Sequence, residues 1–375
     1  MIPSQGVAKS LAELYFDRFE VTYRILHAPK FWKDFNSSWD GSAKADSTFS
    51  VILLLVVLIA KTIAPADWIQ KTGLDFTGLE TAPVIVETCE AWISTQSKKH
   101  LTLELFQIRI LIHVAKQTNN VQLKQTWTSS GTLLRFAMAA GLHREPNLLD
   151  NRISLYNKEM RRMLWATIVE LDLQASLDRG MASSLGGQRW DCKAPKNIDD
   201  DAFDDANQSM PISKPSQDFT SMSFLHLSQK SIHLRTELCS LLNEPVPNLS
   251  HEQVLAYADQ ITILLDELPR WSDGKEGMVR RVLEIQLRQY LLLIHFRFHQ
   301  KAPGGEKQNY STFVCASTAA SILQGYRKLR ESGYSAYSLS SIGGILRPSL
   351  ALCQIVSTST HPSSKPPIKP NFGMT

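Results

Sequence analysis

No stretch of this sequence carries more than two consecutive Lys or Arg residues, and its 40 basic side chains are nearly offset by 36 acidic ones, for a formal net charge of +4. A basic tail or stripe of the kind that follows a phosphate backbone is therefore missing from these residues. Cysteine is scarce as well. Cys89, Cys192, Cys239, Cys315 and Cys353 are odd in number and far apart, which excludes a secreted disulfide framework and zinc-ligand spacing and reads as reduced thiols of a cytosolic or nuclear protein. The first nine residues lack an apolar signal-peptide core, so secretion is not expected. The most apolar run, Val51 to Ala60, is bounded by Ser50 and Lys61. It is about half the ~20 residues that cross a bilayer, so no membrane span is expected and a core helix is the reading, with a Val/Ile-rich strand as the rival. A glycine-rich phosphate loop and a Gly-x-Ser-x-Gly elbow are also missing.

What remains is a chain whose 43% hydrophobic content can bury a large core and argues against wholesale disorder. Apolar residues recur at three- and four-residue steps along most of it, and short connections between such segments predict an all-α fold, a stack of many helices. The sharpest pattern is Leu155 to Leu177. There Met160, Met163/Leu164, Thr167/Ile168, Leu171 and Ala175 form one wide stripe, and Glu159 and Glu170 lie off it with Arg161 and Arg162 beside the first. On this reading the polar edge carries weak surface ion pairs.

Further helices are expected over Leu11 to Leu26, ending near His27-Ala28-Pro29, over Val84 to Thr95, and over Leu101 to Lys116. Another passes through Trp127, Gly131, Leu134 and Met138 and ends near a left-handed Gly141. Phe219 to Leu242, a segment from a Ser250/Gln253 capping box to about Leu268, Gly277 to Gln300, and Tyr310 to Arg330 complete the set. Phe31, Trp32, Phe35 and Trp39 are assigned to packing ahead of a turn at Asp40-Gly41. Residues 1–9 and 351–375 are expected to be disordered, leaving 10–350 as the folded region, with a possible internal linker at 206–218 marked by Pro211 and Pro215.

Candidate chemistry is thin. His295 and His299 stand four apart on one helix face, a spacing that lets two imidazoles share a metal, but Phe296 stands where a metalloprotease-type helix has its glutamate base. Both are read as packing or helix-surface histidines. Asp199, Asp200, Asp201, Asp204 and Asp205 place five carboxylates in seven residues without calcium-hand spacing. They read as a solvated acidic loop in which nothing raises one pKa for acid catalysis. The residues thus predict no catalytic set, no cofactor and no metal, and so no enzyme.

The ordered motifs say more. Phe136 to Pro146, with Gly141-Leu142-His143-Arg144 inside it, is followed by Glu159-Met160-Arg161-Arg162-Met163-Leu164-Trp165 and by Glu170 to Gly180, which holds Asp172 and Asp178. Trp190-Asp191-Cys192 and Pro195 to Asp201 come next. In this order they resemble the middle homology, or regulatory, region of fungal transcription factors whose DNA-binding part is a six-cysteine binuclear zinc cluster. Tyr23 to Phe31 and Leu292 to Phe298 are similar to flanking parts of that region, so the resemblance spans about residues 10 to 350.

The resemblance implies an all-helical regulatory domain, located in the nucleus, of a DNA-binding regulator that controls a metabolic or biosynthetic gene set, often in fungal secondary metabolism. Its partners would be transcriptional machinery or another regulator, and a homo- or heterodimer is implied. Gly141, Leu142, His143, Arg144, Arg161, Arg162, Trp165, Asp172, Asp178 and Gly180 are its signature positions here. Two departures stand out. Five dispersed cysteines cannot form the six-thiol cluster, and no basic linker or heptad segment precedes residue 10, so DNA contact by these residues alone is not expected. Where the family has Gly-Arg-Pro, this chain has Gly180-Met181-Ala182, which loses a stiff turn and is expected to loosen that loop. Two other functions remain open: a scaffold or inhibitor that pairs with a full-length regulator without binding DNA, and an enzyme with a pocket in the helical fold.

Overall fold

A computed structural model of the chain describes residues 2–40, 46–73, 80–97, 101–149, 152–206, 209–244, 249–271, 274–301, 305–334 and 342–360. Among them every regular element is helical and no strand occurs. Helices α1 (Gln5–Arg18), α2 (Ala28–Trp39), α3 (Ser47–Ile63), α4 (Ala66–Thr72), α5 (Ala82–Ser94), α6 (Leu103–Thr118) and α7 (Thr126–Ala139) lead to the long α8 (Leu155–Arg179). After an irregular stretch come α9 (Ser223–Ser228), α10 (Ile232–Leu242), α11 (His251–Asp266), α12 (Lys275–Lys301), α13 (Glu306–Glu331) and α14 (Ile342–Thr360). Helix α8 packs on α6 and α7 from the first half of the chain and on α9, α10 and α14 from the second. One continuous apolar core runs from Ala8 to Ile355.

The N-terminal expectations need correction. Helix α1 begins at Gln5, inside the segment expected to be disordered, because Ala8 is buried with Leu11 and Ala12 on one helical face. It stops at Arg18, well before Leu26. Glu20 is the reason: its Oε1 accepts from the backbone N–H groups of Ile25 and Leu26 at 2.5 and 2.6 Å, replacing helical bonds with a side-chain-anchored loop. Pro29 does not end a helix but opens α2, in the first turn, where its missing N–H costs nothing. That helix brings Phe31 against Trp32 and Phe49, with ring centroids 5.3 and 5.4 Å apart, so the aromatic run does pack. Gly41 of the expected turn lies outside the described residues.

The apolar run is helical and central, as expected: Asp46 caps α3 by accepting from Thr48 N at 2.9 Å, and Ile52 to Ala60 are all buried. No single helix among the described residues is long and apolar enough to cross a membrane; α3 and α4 pass that test only as a pair and are bent by 114°. The capping box at Ser250 and Gln253 is present, with bonds of 2.9 and 3.2 Å.

Later elements differ in two places. In Phe219 to Leu242 the helix starts only at Ser223, because Thr220 and Ser223 turn their hydroxyls onto Asn197 Oδ1 at 2.7 and 2.9 Å, and a 3-10 turn over 229–231 separates α9 from α10. Helix α14 runs to Thr360 through the start of the expected tail, since Gly344, Pro348, Ala351 and Ile355 recur on one buried face. Residues 361–375 lie outside the described residues. The stretch 206–218 carries no helix where it is described, and it is tied down. Lys214 N donates to Asn197 O at 2.9 Å, and Asn197 Nδ2 reaches Pro215 O and Asp218 O at 3.0 and 2.9 Å.

His295 and His299 both face α13, where their Nδ1 atoms meet Ser311 Oγ at 3.2 Å and Thr312 Oγ1 at 2.9 Å. They are packing histidines. Burial, with a smaller contribution from His251, lowers the His295 pKa from 6.5 to about 4. A folded-state value below the unfolded one means that this imidazole favours folding above pH 6.5 and that the benefit is lost as pH falls toward 4. Replacing it as His295→Gln should flatten the acid limb of stability: in urea titrations between about pH 6.5 and 5, the variant loses up to about 1 kcal/mol less per pH unit than the wild type. Parallel curves would contradict this.

Candidate functional site

The signature residues converge where α7 turns into α8. Gly141 has φ +75°, a left-handed conformation that glycine takes without strain. It closes α7 in a Schellman arrangement, with Gly141 N on Met138 O at 2.9 Å and Leu142 N on Ala137 O at 3.0 Å. The Leu142 side chain is fully buried. From α8, Arg161 Nη2 donates to Ala140 O at 3.1 Å. His143 O accepts from Asp191 N and Cys192 N at 3.2 and 3.1 Å, and Arg144 Nε lies 3.1 Å from both Asp191 carboxylate oxygens. That guanidinium contact and the Glu145 N–H hold the Asp191 carboxyl below its usual range.

Helix α8 itself overturns the expected exposed polar edge: Glu159, Arg162, Glu170 and Asp172 are all buried. Arg162 bridges two carboxylates, with Nη1 on Glu159 Oε2 at 2.8 Å and Nη2 on Glu145 Oε1. Glu159 also accepts from Lys196 N at 2.6 Å. Trp165 is 1% exposed and lies 6.1 Å from the His143 ring and 6.5 Å from Trp190, centroid to centroid. Asp172 accepts from Ser183 Oγ at 2.7 Å, Ser184 N at 3.0 Å and Ser130 Oγ at 3.2 Å, and burial raises its pKa.

Asp178 and Gly180 are not at the corner. Thirteen residues separate Trp165 from Asp178, about 20 Å of helix rise. Asp178 accepts from Gln174 Nε2 at 3.1 Å and faces Arg347 at 3.8 Å. Gly180, at φ +63°, closes α8. The loop after it is pinned despite lacking the family's Arg-Pro: Trp127 Nε1 donates to Ala182 O and Asn243 Nδ2 to Met181 O, both at 2.9 Å.

Two buried ion pairs were not foreseen. Arg235 of α10 grips Glu170 with bonds of 2.8 and 2.6 Å, and Gln286 of α12 donates to the same carboxylate. Arg24 pairs with Asp200, and Thr167 of α8 donates to Arg24 O at 2.7 Å. Asp200 is thus not part of a solvated loop. Burial alone would raise its pKa, but the Arg24 charge and the Ala28 N–H more than offset this and leave it lowered. One signal for the first pair was in the sequence: between Thr167 and Ser176 the polar residues are scattered around the helix, the mark of a helix buried on every side.

Among the described residues, two clefts hold a histidine together with one or more carboxylates. The first, about 250 Å³, is lined by His27, Asp34, Asp46 and Glu104, but His27 Nε2 is taken by Asp200 O at 2.8 Å and its Nδ1 by Lys30 N. The second, about 450 Å³, holds His113 and Glu90, and Glu90 is paired with Lys116 at 2.6 Å. In neither does a histidine bond a carboxylate, the contact that orients the base in a triad-type site. Cys89, Cys192, Cys239 and Cys315 are buried, which pushes their thiols up to about 12, 12, 11 and 12, far from the thiolate that reacts. Among the described residues no three His, Cys, Asp or Glu side chains are placed to hold a metal ion.

An all-helical stack with this corner defines a class, and comparison with known proteins identifies it. A family described as fungal specific transcription factor domain matches residues 12–272, and the chain belongs to that family. It is 31% identical over 336 residues to transcription factor opdR of Penicillium oxalicum, covering 86% of this chain and 42% of that protein. It is 32% identical over 264 residues to transcription factor asR3 of Sarocladium schorii, covering 70% and 30%. The equisetin cluster transcription factor eqxF of Fusarium heterosporum is 25% identical over 242 residues, covering 58% and 32%. The chain therefore spans less than half the length of these relatives. Membership in a transcription-factor family argues against enzymatic activity.

Two substitutions probe this interior. Trp165→Ala should cost about 3 kcal/mol through lost packing; an unchanged urea midpoint would refute its buried role. Arg235→Met leaves the Glu170 charge without its cation and should cost about 3–5 kcal/mol. Adding Glu170→Gln to that variant should recover part of the loss, and a double variant less stable than the single one would show that the pair is misassigned.

Proposed function

We propose that these residues form the regulatory domain of a fungal transcription regulator that acts in the nucleus on a metabolic or biosynthetic gene set. The family match over residues 12–272 carries this reading. One relative is named for the equisetin cluster, which supports a gene cluster of secondary metabolism as the kind of target. The mechanism is recruitment or restraint of a protein, either transcriptional machinery or another regulator, through the surface of the helical stack. Residues 10–350 act as one unit in this reading, supported by a core that is continuous from Ala8 to Ile355. The signature residues serve by fixing the helices, since Leu142, Arg162, Trp165 and Asp172 are buried. Sequence-specific DNA contact is not assigned to these residues, whose five cysteines are dispersed.

The test is a fusion of the chain to a heterologous DNA-binding domain, read by a reporter gene in a fungal host. Reporter output should differ from that of the DNA-binding domain alone, and Arg235→Met, by weakening the fold, should abolish the difference. Output from the wild-type fusion equal to that of the DNA-binding domain alone would overturn the proposal.

A further inference from the structure

The 450 Å³ cleft between α5, α6 and α7 is lined by two side chains with a buried nitrogen that has no partner, Arg109 Nε and His113 Nε2. On α6, Arg109 and His113 stand four residues apart and both line it, which places them on one helix face about 6 Å apart along the axis. The neighbouring cation, Lys116, is already neutralised by Glu90 at 2.6 Å and bonded to Gln122 at 2.8 Å. Arg109 has no such bond: its buried Nε lacks an acceptor, and its guanidinium lies over the Phe136 ring at 4.3 Å.

His113 is 5% exposed, and its chemistry is set by Ser129. The Ser129 hydroxyl lies 2.9 Å from Thr126 O and 3.0 Å from His113 Nδ1; assigning its proton to the carbonyl makes it the acceptor of an Nδ1–H. That leaves Nε2 as a bare lone pair, buried and without a partner. Burial also lowers the His113 pKa to about 4 and keeps the ring neutral. One wall thus presents a cation and, one turn away, an acceptor. Ile93, Ile112, Leu133 and Phe136 supply apolar surface around them. Unpartnered buried polar groups are unfavourable and rare in native proteins, and the volume is that of a small-molecule site.

We propose that this cleft binds a small organic acid with an apolar or aromatic body and an N–H or O–H donor: the carboxylate on Arg109, the donor on His113 Nε2 and the body against Phe136 and the aliphatic wall. The site belongs to the folded chain whether or not that chain regulates transcription, so its test and the reporter test fail separately.

Calorimetric titration of the 375-residue chain with indole-3-acetate and with 4-hydroxyphenylacetate decides it. At least one should bind saturably at one site. Indole-3-acetamide, which lacks the charge, and 1-methylindole-3-acetate, which lacks the donor, should each bind about tenfold or more weakly than indole-3-acetate or, where the phenol is the ligand, 4-hydroxyphenylacetamide and 4-methoxyphenylacetate should. Arg109→Gln should weaken the acid by a similar factor and lower the melting temperature by only a few degrees, because no ion pair is lost and the contact with the Phe136 ring is the one given up. Binding of neither acid, equal binding of acid and amide, or undiminished binding by a folded Arg109→Gln protein would overturn the assignment; should that variant fail to fold, the acid and amide comparison on the wild type is sufficient.

Discussion

A helix of 25 residues buried on nearly every side must find a partner for each charge it carries, and α8 carries several. Removing a carboxylate from water costs several kcal/mol, roughly what a good internal ion pair returns. The net contribution to stability is therefore small, while the penalty for a missing partner is large. Each buried acidic residue of α8 is matched by a different neighbour: Glu159 by Arg162 and the Lys196 amide, Glu170 by Arg235 and Gln286, Asp172 by Ser130, Ser183 and Ser184. A helix that slid by one turn along α8 would leave a charge bare. The apolar core makes the stack stable; these pairs select which elements dock and in what register.

The residues singled out in the sequence act in the same assembly, four of them, Leu142, Arg162, Trp165 and Asp172, from buried positions. Gly141 sets a turn, Arg162 joins two carboxylates, Trp165 fills the space between His143 and Trp190, and Gly180 ends the helix. None of these roles involves a substrate. These residues determine how the helices assemble, whereas what the chain responds to and contacts is a matter for its clefts and surfaces.

The helical class, the core helix α3, the capping box at Ser250 and the packing role of His295 were legible because each rests on short-range rules: periodicity, a cap three residues away, a spacing of four. The failures share a different cause. Helix α1 ends early because Glu20 reaches forward to two amides, α9 starts only at Ser223 because Asn197 captures Thr220 and Ser223, and Asp200 leaves solvent because Arg24 meets it from 176 residues away. Each is a polar side chain whose partner lies more than one helical turn away in sequence, which periodicity does not encode. The same holds for Met181 and Ala182, whose carbonyls are held by Asn243 and Trp127 where a proline would have supplied stiffness.

The cleft is also joined to the central helix. Ser129 and Ser130 are adjacent on α7; the first fixes the His113 ring and the second donates to Asp172 of α8 at 3.2 Å. The cleft and the central helix therefore share one turn of α7. A molecule held between Arg109 and His113 would order that turn, and its binding free energy would add to the stability of the α7–α8 contact by mass action. In a stack whose register depends on such contacts, a ligand of modest affinity acts on the element to which the rest of the helices are keyed.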